Sequence, residues 1–261
     1  MKKGLIYLII AVLTSTVAIA TEITNPFYIS PKGKITSETN ISYQKFHVQK
    51  LINGFNDYRN RSRLLQQNFS YGIAPKVAVL GSISNEWKRK KFDSFGLTDK
   101  TDTNIRCSVG TLYDLYNKDN LHFQLKLLYL QEQTHHFGGA YKAFTANAKT
   151  GYDLDYFFPY LGGELELPIA QKKTADNNPK YDIYFGLYKN FNDVITLDTN
   201  IHYNYDKMYK SQKINSRTEL SIFITPQIAV SGFFDYTVFD KGKNNADANS
   251  HIIGGTFKIQ F

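Results

Sequence analysis

Beyond Thr21 the chain sustains no 3.6-residue period; a two-residue alternation of apolar and polar side chains recurs in its place. Successive side chains of an extended strand point to opposite faces, so each such stretch has one apolar and one polar side. Leu121, Phe123, Leu125, Leu127 and Tyr129 alternate with His122, Gln124 and Lys126, and Tyr181, Ile183, Phe185 and Leu187 alternate with Asp182 and Tyr184. Twelve stretches of this kind can be read. The first, about 33 to 46, is weakly patterned through Ile35, Thr39, Ile41 and Tyr43, and the last ends at Phe261. Ten or fourteen strands are the alternative counts.

The breaks between stretches fall into two classes. Short turns near 75, 118, 155, 191 and 226 recur at intervals of 35 to 43 residues, and longer polar connections lie between them. The longer ones cover about 49–63, 88–103, 131–142, 170–180, 206–213 and 240–249. Short turns at one end and longer loops at the other describe an up-and-down antiparallel barrel, and an even strand count puts both chain ends on the short-turn side. A soluble β-sandwich or lipocalin-like barrel, with the apolar face inward, is the competing reading, but such folds have fewer or shorter strands. Tyr and Phe at 19 each also exceed what a soluble core uses. Two interfacial girdles would absorb them: Tyr71, Tyr113, Tyr152, Phe257 and Phe261 toward the short turns, and Trp87, Tyr129, Tyr181, Tyr203 and Tyr236 toward the longer connections. In hydrocarbon an open sheet edge would leave backbone groups unpaired, at several kcal/mol each, so the sheet is expected to close.

At the amino end, Lys2 and Lys3 precede an apolar run from Leu5 to about Val17, followed by Ala18-Ile19-Ala20. This reads as a signal peptide over 1–20 cleaved near Ala20, because the run is short for a transmembrane anchor. No Cys follows the run, which excludes a lipoprotein. Residues 21–32, with Pro26 and Pro31, read as an extended periplasmic lead-in, and 33–261 as the barrel. At the other end, Ser250 to Phe261 alternates Ile253, Gly255, Phe257, Ile259 and Phe261 with Ile252, Gly254, Thr256, Lys258 and Gln260. An alternating last strand ending on an aromatic residue resembles the signal of Gram-negative, porin-like outer-membrane β-barrels. The resemblance implies outer-membrane localisation, reading of Phe257 and Phe261 by the barrel-assembly machinery, and contact with outer-membrane lipid and lipopolysaccharide.

The polar faces carry an uneven charge. Arg106, Lys126 and Lys149 fall on three successive strands, Glu164, Glu166, Asp182 and Asp198 on the next three, Arg217 and Glu219 on one strand, and Lys258 on the last. Two readings follow. Opposed arcs could line a water-filled constriction that passes small polar solutes, or the charges could pair into salt bridges that fill a narrow lumen. Twelve strands lie between about eight, where side chains fill the interior, and roughly 16 to 18, where a channel is open. The longer connections carry an excess of Lys and Arg, densest at Arg59, Arg61, Arg63 and Lys88 to Lys91. A rim touching lipopolysaccharide phosphates is favoured over a receptor site, and it gives a weak lean to anions. A plugged structural or adhesin-like barrel is the second functional class.

An outer-membrane hydrolase is the third. His202 lies near Asp198 and Asn200, and His135-His136 falls in a connection, but no nucleophile, base and orienting group can be assembled. The chain is therefore read as a non-enzyme without cofactor or metal. The net charge of +8 admits nucleic acid, which export argues against. Cys107, the sole Cys, shares its face with Ile105 and Val109 and reads as a lipid-facing apolar group that forms no intramolecular disulfide. Gly254-Gly255 reads as a place of close strand approach or of a bend in the closing strand. A monomer is expected, since no strand carries a small-residue outer face along its length.

Overall fold

The alternating stretches pair in chain order. They form β1 (Ile35–Val48), β2 (Tyr58–Ala74), β3 (Val77–Phe92), β4 (Lys100–Lys118), β5 (Leu121–Thr134) and β6 (Ala140–Tyr152), followed by β7 (Phe158–Pro168), β8 (Lys180–Asn192), β9 (Ile195–Asp206), β10 (Ser211–Thr225), β11 (Ile228–Lys241) and β12 (Ala248–Gln260). Each strand is antiparallel to its sequence neighbours, and β1 closes on β12 from Thr36↔Gln260 to Val48↔Ala248. The result is a closed twelve-strand barrel with no free edge. The structure is a computed structural model and describes residues 22–48, 58–92, 100–118, 120–134, 140–154, 157–169, 178–192, 194–206, 211–241 and 248–261. The stretch read as a signal peptide, its cleavage point and His135-His136 lie outside the described residues.

The burial pattern is inverted relative to a soluble domain. Ile41, Val109, Leu127, Ile183, Phe185, Ile201, Phe234, Ile253 and Phe257 are exposed on the outer wall, while Gln124, Thr145, Asn147, Thr196, Ser221 and Ser231 are buried. Apolar groups outward and polar groups inward suit a wall solvated by lipid. The girdle residues lie on this wall: Tyr71, Trp87, Tyr152, Tyr181, Tyr203, Tyr236, Phe257 and Phe261 are exposed, and Tyr113 and Tyr129 are half-buried. Cys107 is also exposed, beside exposed Ile105 and Val109.

Two boundaries differ from the sequence reading. The strands run further than the alternation suggests, so Arg61, Arg63, Lys88 and Arg89 sit in paired strands rather than in a connecting loop. Polar side chains do not end a ladder whose two arms already hold each other in register. Of residues 21–32, expected as an extended periplasmic lead-in, Glu22–Thr24 instead make a short 3-10 turn and residues 23–30 enter the barrel interior, while Lys32 bridges to Gly72. Ile23 packs on Phe223 and Ala229, which flank the Pro226-Gln227 turn, and Phe27 packs on Phe158, Tyr160 and Tyr188. These apolar side chains lose water contact there, whereas in an extended lead-in they would keep it.

Candidate functional site

The interior is built from inward-facing strand residues and from the segment that enters it. Phe27 is held by its ring and its backbone. Its ring centroid lies 5.0 Å from Phe158, 5.5 Å from His122 and 6.4 Å from Tyr160. Gln124 Nε2 donates to its carbonyl, and Lys149 Nζ donates to the carbonyl of Pro26 while lying 4.8 Å from the centre of the Phe27 ring. Thr24 Oγ1 lies 3.1 Å from both Tyr188 Oη and Thr196 Oγ1. Tyr28 Oη pairs with Thr36 Oγ1 at 2.9 Å and accepts from Gln260 Nε2 at 2.9 Å, while buried Ser30 donates to Ser70 Oγ at 2.8 Å. Residues 23–30 thus touch β1, β2, β5 to β12, lying across the short-turn end as a plug.

Above the plug, three adjoining cavities of about 310, 220 and 310 Å³ all border Tyr28. Charges of both signs line them. Arg106 of β4 meets Glu166 of β7 at 3.4 Å, and Lys126 of β5 meets Glu164 of β7 at 3.9 Å, so both pairs span strands that are not neighbours. Glu166 also takes Lys180 at 3.0 Å and the Tyr141 hydroxyl. Lys258 meets Glu38 at 3.4 Å, and Arg217 meets Glu219 at 2.7 Å with its guanidinium 3.9 Å from the Phe233 ring centre. Asp198 accepts from the Tyr160 hydroxyl at 2.6 Å, and Asp182 pairs with His202 Nδ1 at 2.7 Å. All ten charged positions named from the sequence therefore carry their side chains into the interior, where Lys149 serves the plug and the others pair with each other or with further partners.

Several contributors were not visible in the alternation. Glu38 sits on weakly patterned β1, and Lys180 and Tyr141 lie near the long-connection end. Leu80 and Leu112 line the cavities, and buried Leu130 and Phe233 also face inward, so the interior is less uniformly polar than its alternating pattern suggests. Close packing explains two glycines: a Cβ on Gly162 would fall 2.3 Å from the Tyr184 ring, and one on Gly186 would fall 2.1 Å from the Tyr160 ring. Gly254, read as a place of close strand approach, leaves room mainly for the Phe233 ring, 2.3 Å from where its Cβ would be.

His202 stacks on Tyr184 with ring centroids 5.0 Å apart and pairs with Asp182; its hydrogen bonds among the described residues include no hydroxyl or thiol. Among the described residues no three His, Cys, Asp or Glu side chains converge on a metal-sized site. The arrangement can hold small polar molecules between paired charges, and any path through it must pass the plug.

No protein-family model and no curated protein sequence matches the chain. Solved structures do. An outer membrane channel from Pseudomonas putida aligns over 91% of this chain and 98% of its own at a TM-score of 0.69 and 10% identity. The translocator domain of an autotransporter from Neisseria meningitidis aligns over 91% and 92% at 0.58 and 9% identity. A toluene transporter from Ralstonia pickettii aligns over 94% of each chain at 0.51 and 9% identity. At such identities the likeness is one of fold, a closed antiparallel barrel that this chain shares with these outer-membrane proteins.

Proposed function

We propose that this barrel resides in the outer membrane and is a passive channel for small polar solutes, narrowed at its short-turn end by residues 23–30. The observation that supports this reading is the set of cavities around Tyr28, bordered by the charged side chains of Lys126, Lys258, Glu38, Glu164 and Asp182. A purely structural barrel has no need of open space between charges, whereas a selective passage does. The outer-membrane channel and transporter that share the fold are compatible with transport without defining the solute.

The lean to anions drawn from rim charge loses much of its basis. Arg61, Arg63 and Arg89 lie on exposed strand positions, and the lumen cations Arg106, Lys126 and Lys258 each meet a carboxylate. Weak ion selectivity is therefore the reading. The plug favours a second reading, a barrel held shut at rest. Planar-bilayer recording of the refolded full chain decides between them: steady small conductance supports the open channel, rare brief openings support the shut barrel, and silence even after removal of residues 23–30 would sink both.

A further inference from the structure

One of the two cavities of about 310 Å³, bordered chiefly by β5 to β9, keeps its opposite charges on separate strands. Lys126 of β5 and Lys149 of β6 stand on one side, and Glu164 of β7 and Asp182 of β8 on the other. Pairing sets Lys126, Glu164 and Asp182 in one row, with Lys149 in the next row toward the short turns, about 7 Å away along the strands. The void is at the small end of ligand pockets, which run from roughly 300 to 1,000 Å³.

The four charges are poorly matched with one another. Glu164 and Asp182 stand directly opposite on neighbouring strands, where like charges repel. Lys126 lies 3.9 Å from Glu164, too far for a hydrogen bond. Lys149 Nζ donates to the Pro26 carbonyl and pairs with no carboxylate among the described residues. His202 engages Asp182 Oδ2, while Oδ1 accepts nothing among the described residues; the soft terminal torsion of Asp lets that carboxylate turn toward a ligand. Gln124, 1% exposed, borders the same cavity, and its Oε1 also has no donor among the described residues. The two lysines and two carboxylates sum to no net charge, so a molecule carrying both poles matches them better than a simple cation or anion. We propose that this cavity is a saturable binding site for a small zwitterion, an amino acid whose ammonium group lies between Glu164 and Asp182 and whose carboxylate takes Lys126 and Lys149. The ammonium supplies the countercharge that the facing carboxylates lack, and the carboxylate uses spare donors of the two lysines. An α-amino acid with a hydrogen bond at each pole spans the offset between the two rows. Gln124 Oε1 is left for a donor on the solute's side chain. This assignment rests on reading the lumen as a solute passage, and a solute without net charge agrees with weak ion selectivity.

The test is saturation-transfer NMR of the refolded full chain in detergent with three ligands: L-serine, its methyl ester, which lacks the anionic pole, and N-acetyl-L-serine, which lacks the cationic one. Folding is checked by the heat-dependent shift in gel migration. The expected result is saturable binding of serine, with each derivative about tenfold weaker, the low end for loss of a hydrogen bond to a charged group. Glu164→Gln with Asp182→Asn should weaken serine and its ester by about tenfold and leave N-acetylserine unchanged. Lys149→Gln should weaken serine and N-acetylserine and leave the ester unchanged; Lys126→Gln tests the same pole should loss of Lys149 undock residues 23–30. Serine held no better than either derivative, or variants that change all three ligands alike, would overturn the proposal. Bilayer recording of the same preparation separates it from the channel reading. Serine binding beside an electrically silent membrane supports the site and removes the passage, whereas steady conductance without serine binding overturns the site alone.

Discussion

Phe27 is the residue on which the state of the short-turn mouth turns. Its ring is 7% exposed, and it is surrounded by Phe158, Tyr160, Tyr188 and His122, with Lys149 above it. Truncating a buried Phe to Ala costs about 3 to 5 kcal/mol where the ring is fully packed. The lumen is wetter than a protein core, so the lower figure applies. At 1.4 kcal/mol per decade, about 3 kcal/mol raises the undocked fraction of the segment about 150-fold. The ring lies inside the barrel and takes no part in strand pairing, so Phe27→Ala is predicted to leave the wall folded. Single-channel recording would then show longer or more frequent large openings, and protease added from the short-turn side would trim the released segment faster. Unchanged openings together with unchanged trimming, in a variant that still shows the heat-dependent gel shift, would refute the view that Phe27 anchors the plug.

Three further predictions concern the wall and lumen. Arg106→Glu with Lys126→Glu removes the cation beside Glu164 and one of the two beside Glu166, which keeps Lys180; a unit charge about 5 Å from a passing ion in water contributes about 0.8 kcal/mol with opposite sign for cations and anions, so the cation-to-anion permeability ratio should rise about 15-fold per unit of charge, and an unmoved reversal potential would contradict this. Gly162→Ala drives a methyl group into the Tyr184 ring and is expected to lower stability by about 1 to 3 kcal/mol, read as an earlier midpoint in urea unfolding from lipid vesicles. Leu127→Arg places a charge on the lipid face and should cost about 2 to 4 kcal/mol if it lies near the bilayer midplane, whereas Lys126→Leu on the interior side should cost far less; similar costs for the two would erase the distinction between the faces.

The wall was legible in the sequence because the medium imposes it. Lipid outside and polar space inside force opposite chemistries onto alternate residues, so Leu121 to Tyr129 and Tyr181 to Leu187 disclose both strand and facing. Closure followed from the need to pair every backbone group. The interior was less legible, for three reasons visible in particular residues. Residues 23–30 have no period, and Pro26 and Pro31 suggest extension, so nothing local indicates that Ile23 and Phe27 fit pockets made by residues more than a hundred positions away. Glu38 is hard to place from sequence because Ser37 and Thr39 weaken the outer face of β1 and hide its alternation. The pairs Arg106–Glu166 and Lys126–Glu164 skip strands, and such contacts exist only once the sheet has curved into a tube. The ends of β2 and β3 are not legible from sequence, because Arg61 and Arg89 have loop-like composition and only the pairing ladder places them in strands.

The central claim is that alternate residues of one strand face lipid and lumen, and Cys107 with its neighbour Ser108 gives the most direct measurement. Cys107 is exposed on the outer wall, and Ser108 lies on the opposite side, its hydroxyl 2.7 Å from that of Ser82. A nitroxide is attached to native Cys107, and a second one to Ser108→Cys in a Cys107→Ser background, each in lipid vesicles. The account predicts that relaxation at 107 is enhanced by oxygen and barely by a water-soluble nickel chelate, with the reverse preference at 108. The same preference at both positions would contradict it.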